Sequence, residues 1–254
     1  MKKIFLILSA LVLVTACDWF VFDNEDSYDA TISGRFIDSQ TGQLVQFAHP
    51  NANKFQVIEL EWDKEASQDW YVKPNGTYVN KLVFAGKYKM HTLAQNFYPV
   101  ENLPFEIKKG DNVVDFTVTP FARILDPKIT YEGGKIVARF KVQCSDPSKT
   151  NKVDVNLFCY TDRYVSDGYN NVSKQSSSKK STVQADGSTV IELSIDPTVA
   201  SGVQFTYKRD HYLRIGAVAT GSGVNTAKVY NYSSVYKMDQ DFQNITEITN
   251  WDEE

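Results

Sequence analysis

Three histidines, His49, His91 and His211, and three cysteines, Cys17, Cys144 and Cys159, are the residues of this 254-residue chain best suited to metal binding or nucleophilic catalysis. They are scattered without the close spacing that a metal centre needs, so each histidine is expected at a surface or a strand end, and no metal or other cofactor is expected. No phosphate-binding glycine loop or nucleophile elbow is present. The chain has 31 Asp and Glu residues. Glycoside hydrolysis would need two of them held about 5–10 Å apart in a groove, and small β-domains with short loops are poor material for one. The sequence therefore predicts a protein that is not an enzyme.

A gentler chemistry is better supplied. Sugar rings lay patches of C–H on exposed aromatic faces while neighbouring polar groups bond their hydroxyls. The stretch ELEWDKEASQDWYVK places Trp62, Trp70 and Tyr71 around a polar loop, and NFYPV brings Phe97 and Tyr98 to another. These five are the candidate ligand-binding residues. Trp62 and Trp70 would equally serve to cap the open end of a β-sandwich, and that alternative stays open. Other aromatics of WYVKPNGTYVNKLVFAGKY, namely Tyr78, Phe84 and Tyr88, fall to the core by strand alternation. Within the same stretch Lys73-Pro74-Asn75-Gly76 fits a type I turn closed by glycine.

The N-terminus, MKKIFLILSALVLVTACDWF, has two lysines, an apolar run from Ile4 to Val14, and small residues before Cys17. The run falls short of the roughly 20 residues that span a bilayer, and instead describes a secretory signal over residues 1–16. Val14-Thr15-Ala16-Cys17 resembles a bacterial lipobox, which makes Cys17 the lipid-attachment residue and the membrane a partner through that anchor. Residues 17–28 read as an acidic tether. Its Asp23, Glu25 and Asp26, with Asp29 just beyond, follow no calcium-loop spacing. Removing residues 1–16 takes Lys2 and Lys3 away, so the net charge of −4 becomes −6. An acidic chain argues against nucleic acid as a partner.

The elements that must position any site are strands. Alternation with period 2 runs through residues 29–120 and again through 121–238, broken by turn signals such as SQTG, KPNG, KKGDN, YEGG and QADGS. The fold class expected is all-β, with two tandem antiparallel β-sandwich domains meeting at Pro120. Polar residues 166–182 are expected to form a mobile loop, and the acidic tail, residues 239–254, to fray. Cys144 and Cys159 would lie about 20 Å apart if their strands were antiparallel neighbours, at roughly 3.3 Å per residue. A disulfide cannot span that distance, so two buried free thiols are expected.

ATISGRFIDSQTGQLVQ at 30–46, KPNGTYVNKLVFAGKYKM at 73–90, FYPV at 97–100 and VVDFTVTP at 113–120 together resemble the prealbumin-like, or carboxypeptidase regulatory-like, sandwich. More narrowly they resemble a Bacteroidetes lipoprotein family, that of domain of unknown function 3823. YLRIGAVA and VYNYSSVYKM are similar to the last strands of the immunoglobulin-like or fibronectin-like domain that follows in that family. The resemblance implies an outer-membrane, surface-displayed accessory lipoprotein of a glycan-uptake system. Its partners would be a glycan, or a TonB-dependent transporter and that transporter's glycan-binding lipoprotein. The alternative is a docking or adhesive subunit that touches no glycan. No catalytic residues carry over.

Overall fold

The computed structural model describes residues 27–60, 65–170, 175–199, 205, 207–221 and 223–251. Its first sandwich is founded on strand β1, Ala30–Asp38. Along ATISGRFID every second position is buried, from Ala30 through Ile32 and Phe36 to Asp38, as one inward face requires. At Gly34 a Cβ would stand 1.7 Å from the carbonyl oxygen of Val114, so only glycine lets the neighbouring backbone approach there.

Around β1 lie β4, Thr77–Val83, then β7, Gly110–Val113, and β8, Phe116–Val118. The opposing sheet orders β3, Ser67–Tyr71, against β2, Lys54–Glu59, then β5, Gly86–Thr92, and β6, Leu103–Ile107. The sandwiches are antiparallel as expected, with the local exception that β7 and β8 run parallel to β1. The chain must cross the domain to bring 110–118 back beside 30–38, and alternation says nothing about that direction. Phe36 occupies the centre of the core, with ring centroids 5.2 Å from both Phe47 and Phe55 and 5.5 Å from Phe116. Each fully buried phenylalanine contributes about 1.5–3 kcal/mol.

The chain passes from β8 into the second sandwich between Val118 and Ala122. One sheet orders β13, Ile191–Ile195, β10, Lys135–Cys144, and β9, Ala122–Glu132. The other orders β12, Lys179–Gln184, β11, Lys152–Tyr160, β14, His211–Thr220, β16, Tyr236–Met238, and β17, Ile245–Glu247, with β15, Asn231–Tyr232, paired to β14. Cys144 and Cys159 are free and buried, although the geometry behind that expectation differs: β10 and β11 belong to opposite sheets. Burial pushes the Cys144 thiol up to about 11 and the Cys159 thiol higher still.

Two segments depart from the loop and tail expected of them. Residues 179–184 form β12, and Ser166 is buried with its hydroxyl donating to the carbonyl of His49 at 2.7 Å. The tail adds β17 to the sheet and buries Trp251. Strand β3 was not anticipated, because SQDWY buries only Trp70 and so shows no alternation.

The two sandwiches are joined by buried polar contacts. Asp38 at the end of β1 receives Nε of Arg123 at 2.5 Å and its Nη2 at 2.6 Å, and each side chain is only 6% exposed. Asn231 donates to the carbonyl of Asn96 at 2.7 Å and accepts the amide of Ala122 at 3.0 Å. Arg214, with 0% exposure, reaches from β14 to the carbonyls of Phe47 at 2.8 Å and Pro74 at 3.1 Å, and to Ser233 within its own domain at 3.0 Å.

Candidate functional site

The turn Lys73–Gly76 and the segment 47–53 carry the first sandwich's side of this junction. Gly76 adopts φ 85° and its amide donates to the Lys73 carbonyl at 2.9 Å, closing the turn as its sequence implies. A Cβ there would meet the Val45 carbonyl oxygen at 2.3 Å, so the tight turn holds Pro74 and the end of β3 against the segment that follows Val45. From the second sandwich, residues 163–169 after β11 and residues 248–251 after β17 close over the same place.

Between them lies a cleft of about 400 Å³, lined among others by His49, Tyr71, Lys73, Arg163, Tyr164 and Trp251. The His49 ring is 4.5 Å from that of Tyr164 and 5.9 Å from that of Tyr169. Tyr164 in turn lies 6.0 Å from Trp251. The guanidinium of Arg163 stands 5.5 Å from the centre of the Trp251 ring and 5.8 Å from that of Tyr164, and donates to the Trp251 carbonyl at 3.2 Å. Cation–π contacts of this kind fix the rings beside a charged, hydrogen-bonding rim. Tyr71, 63% exposed, stands at the mouth with its ring free for contact. Apolar ring surface beside convergent polar donors is what a saccharide requires.

Beneath this wall Arg214 lies over the Tyr232 ring at 4.4 Å, and the Tyr232 hydroxyl donates to Asp167 at 2.6 Å. Burial pulls the Arg214 guanidinium down to about 10, against the opposing pull of Tyr232 and Asp167. It therefore remains charged at neutral pH and holds the floor of the junction through backbone carbonyls.

The five ligand candidates separate. Trp70 is 5% exposed, packed edge-on to Phe55 at 5.9 Å and near Tyr88 and Phe105, both at 6.4 Å. It offers no face to a ligand and serves the packing alternative. Phe97, 1% exposed, belongs to the same core, 5.7 Å from Phe36. Tyr71, next to Trp70 on β3, projects to the opposite, exposed face, as successive strand residues do. Tyr98 is half-buried, edge-on to Phe121 at 4.7 Å with the Lys149 ammonium 4.7 Å over its ring, and it lines a second groove of about 330 Å³. Trp62 and the lipid-attachment candidate Cys17 lie outside the described residues, as do Asp23, Glu25 and Asp26. Asp29 is a structural clasp, accepting the Ala85 amide at 2.8 Å and pairing with Lys109 at 3.2 Å.

The sequence places His49 at a surface or strand end and Trp251 within a tail expected to fray. It gives Arg163, Tyr164 and Tyr169 no role. Nothing in the chain's local pattern joins residues 49, 71, 164 and 251; only the docking of one sandwich on the other does.

A family model described as "Protein of unknown function (DUF3823) N-terminal domain" matches residues 30–119. The chain is 32% identical to a Bacteroides uniformis protein of known structure described as a "putative carbohydrate binding protein", covering 84% of this chain and 99% of that one with a TM-score of 0.75. DUF3823 family proteins from Parabacteroides merdae and Bacteroides ovatus share the fold at TM-scores of 0.67 and 0.66, with 22% and 19% identity. They cover 84% and 83% of this chain and 99% of each relative. No curated protein matches the chain.

Proposed function

This chain belongs to the DUF3823 family, and from that premise we propose that it is a non-enzymatic envelope protein that binds glycan in the cleft between its two sandwiches. Lipid at Cys17 anchors it to the outer membrane, where it serves as an accessory subunit of a glycan-uptake system. The observation that carries the glycan assignment is the exposed Tyr71 ring in a cleft whose lining also holds Tyr164, Trp251 and Arg163. The 32% identical relative, described in carbohydrate-binding terms, supports it.

Titration of the purified chain with neutral and acidic polysaccharides tests this, because Trp251 in the cleft wall makes its emission responsive. A saturable change that Tyr71→Ala weakens about tenfold, with melting nearly unaltered, is the expected outcome. No response across both classes would favour a docking subunit. That second reading has a surface of its own: Val79 and Val113, 50% and 76% exposed, both pair with Ser33 across the first sheet.

A further inference from the structure

Two further concavities of the junction lie near the cleft. A groove of about 430 Å³ lies beyond the segment 48–54. His49 and Asn53 of that segment line the Tyr71 cleft, whereas Asn51, Ala52 and Lys54 line the groove. The segment is therefore a ridge shared by both. The groove adjoins the one beside Tyr98, since both are lined by Leu93, Ala94, Gln95 and Ala227.

The charges along this course run against those of the whole molecule. Net charge is −4, yet the described lining carries Lys73 and Arg163 in the cleft, Lys54 and Lys228 in the middle groove, and Lys149 in the last. Asp167 is the single carboxylate among those described lining residues, and it accepts the Tyr232 hydroxyl. Asp252, Glu253 and Glu254, which follow Trp251 in the sequence, lie outside the described residues. Lys54 is paired with Asp69 at 2.5 Å and Lys149 with Asp146 at 3.5 Å. An ammonium has three donors, so each keeps some for a further acceptor. A concave, basic course on an acidic protein focuses field toward anions.

From this we infer that the ligand of the proposed glycan site is an anionic polysaccharide, lying as an extended segment along the junction from the Tyr71 cleft across the 48–54 ridge to the Tyr98 groove. The inference rests on the glycan-binding reading and narrows it to carboxylated or sulfated sugars. Tyr71 would receive one ring, and the lysines of the two grooves would meet carboxylates or sulfates further along. Single-stranded nucleic acid also combines negative charge with stacking. It is disfavoured because strand binding takes a succession of stacking rings, and Tyr71 is the one well-exposed aromatic among the described lining residues.

The test uses the purified full chain in mild detergent and a matched pair of ligands: polygalacturonate and its methyl ester, which share a backbone and differ in charge. Galacturonate oligomers of increasing length and an oligothymidylate complete the set. Calorimetry should show binding to polygalacturonate that strengthens with oligomer length. It should weaken by about tenfold or more as salt is raised from about 50 to about 500 mM. Lys228→Gln and Arg163→Gln should each weaken it, whereas Lys128→Gln on the far strand β9 should not. Equal binding of the ester overturns the charge assignment and leaves the glycan reading intact. Binding that saturates with a single sugar overturns the extended course. Preference for the oligothymidylate, or no binding to either glycan, overturns both.

Discussion

Arg123 grips Asp38 with two nitrogens, at 2.5 and 2.6 Å, so that the last residue of one sandwich's first strand is tied to the first strand of the next. Alternation along β1 sends Asp38 inward, to a place where an apolar residue would be expected. The charge is tolerated there because Arg123, the Gln40 amide and the Thr41 hydroxyl all donate to it.

Breaking this pair from one side should be costly. Asp38→Ala leaves the Arg123 charge buried and is expected to destabilise the chain by about 3–5 kcal/mol, whereas Asp38→Leu combined with Arg123→Met should recover most of that loss. Chemical denaturation of the two variants checks it. A double variant as unstable as the single one would show that the pair itself is not what matters.

The same contact predicts an acid limb. Burial favours the protonated carboxyl of Asp38, but the Arg123, Gln40 and Thr41 donors outweigh it and hold the pKa below its ordinary value. A depressed folded-state pKa contributes stability that is complete above the unfolded value of about 3.9 and is lost as pH falls through the folded one. Asp38→Asn should therefore flatten the stability profile below about pH 4 and leave its shape above that unchanged. Thermal melts across that range decide the point.

Trp70 and Tyr71, adjacent in sequence, should behave as opposites. Trp70→Ala empties a core position and should cost about 3–5 kcal/mol. Tyr71→Ala should move stability by no more than about 0.5 kcal/mol while weakening glycan binding about tenfold. Melting and titration of both variants separate packing from recognition.

Arg214 has a role that lysine cannot fill. Its fork serves carbonyls of Phe47, Pro74 and Ser233 together, and a single ammonium cannot match that planar geometry. Arg214→Lys and Arg214→Met should each lose at least about 2 kcal/mol, since buried carbonyls left unpaired cost about 1–3 kcal/mol each. Denaturant midpoints give the comparison.

The two thiols offer a simple probe of core integrity. Cys144 and Cys159 should ignore a thiol reagent in the folded chain at neutral pH, because burial holds both pKa values high. Both should react once the chain is unfolded, without any reductant.

Strands such as 30–38, 86–92 and 135–144 are legible because one buried face imposes period 2 on the residues. SQDWY is not, since an edge strand with four exposed positions carries no such imprint. Nor is the parallel pairing of β1 with β7, which depends on a crossover rather than on composition. Tyr71 could be named in advance because its aromatic type alone drew attention. Its partners could not, since His49, Tyr164 and Trp251 meet only after two domains dock, and the residues that dock them, Asp38, Arg123 and Arg214, look like ordinary strand charges in the sequence.

Trp251 supplies one wall of the cleft while Tyr71, also in its lining, is exposed, and a chain synthesised N-terminus first completes these in a fixed order. The first sandwich, with its tyrosine, can be finished while the tryptophan is still to come. A chain cut short a few residues before 251 would keep the core of each sandwich and β17, yet lose a buried member of the smaller cluster that Ala48, Val165 and Tyr232 share, and with it the ring on which Arg163 and Tyr164 lean. Loss of a short terminal peptide to a protease would therefore strip the cleft wall and loosen the packing beneath it in one step.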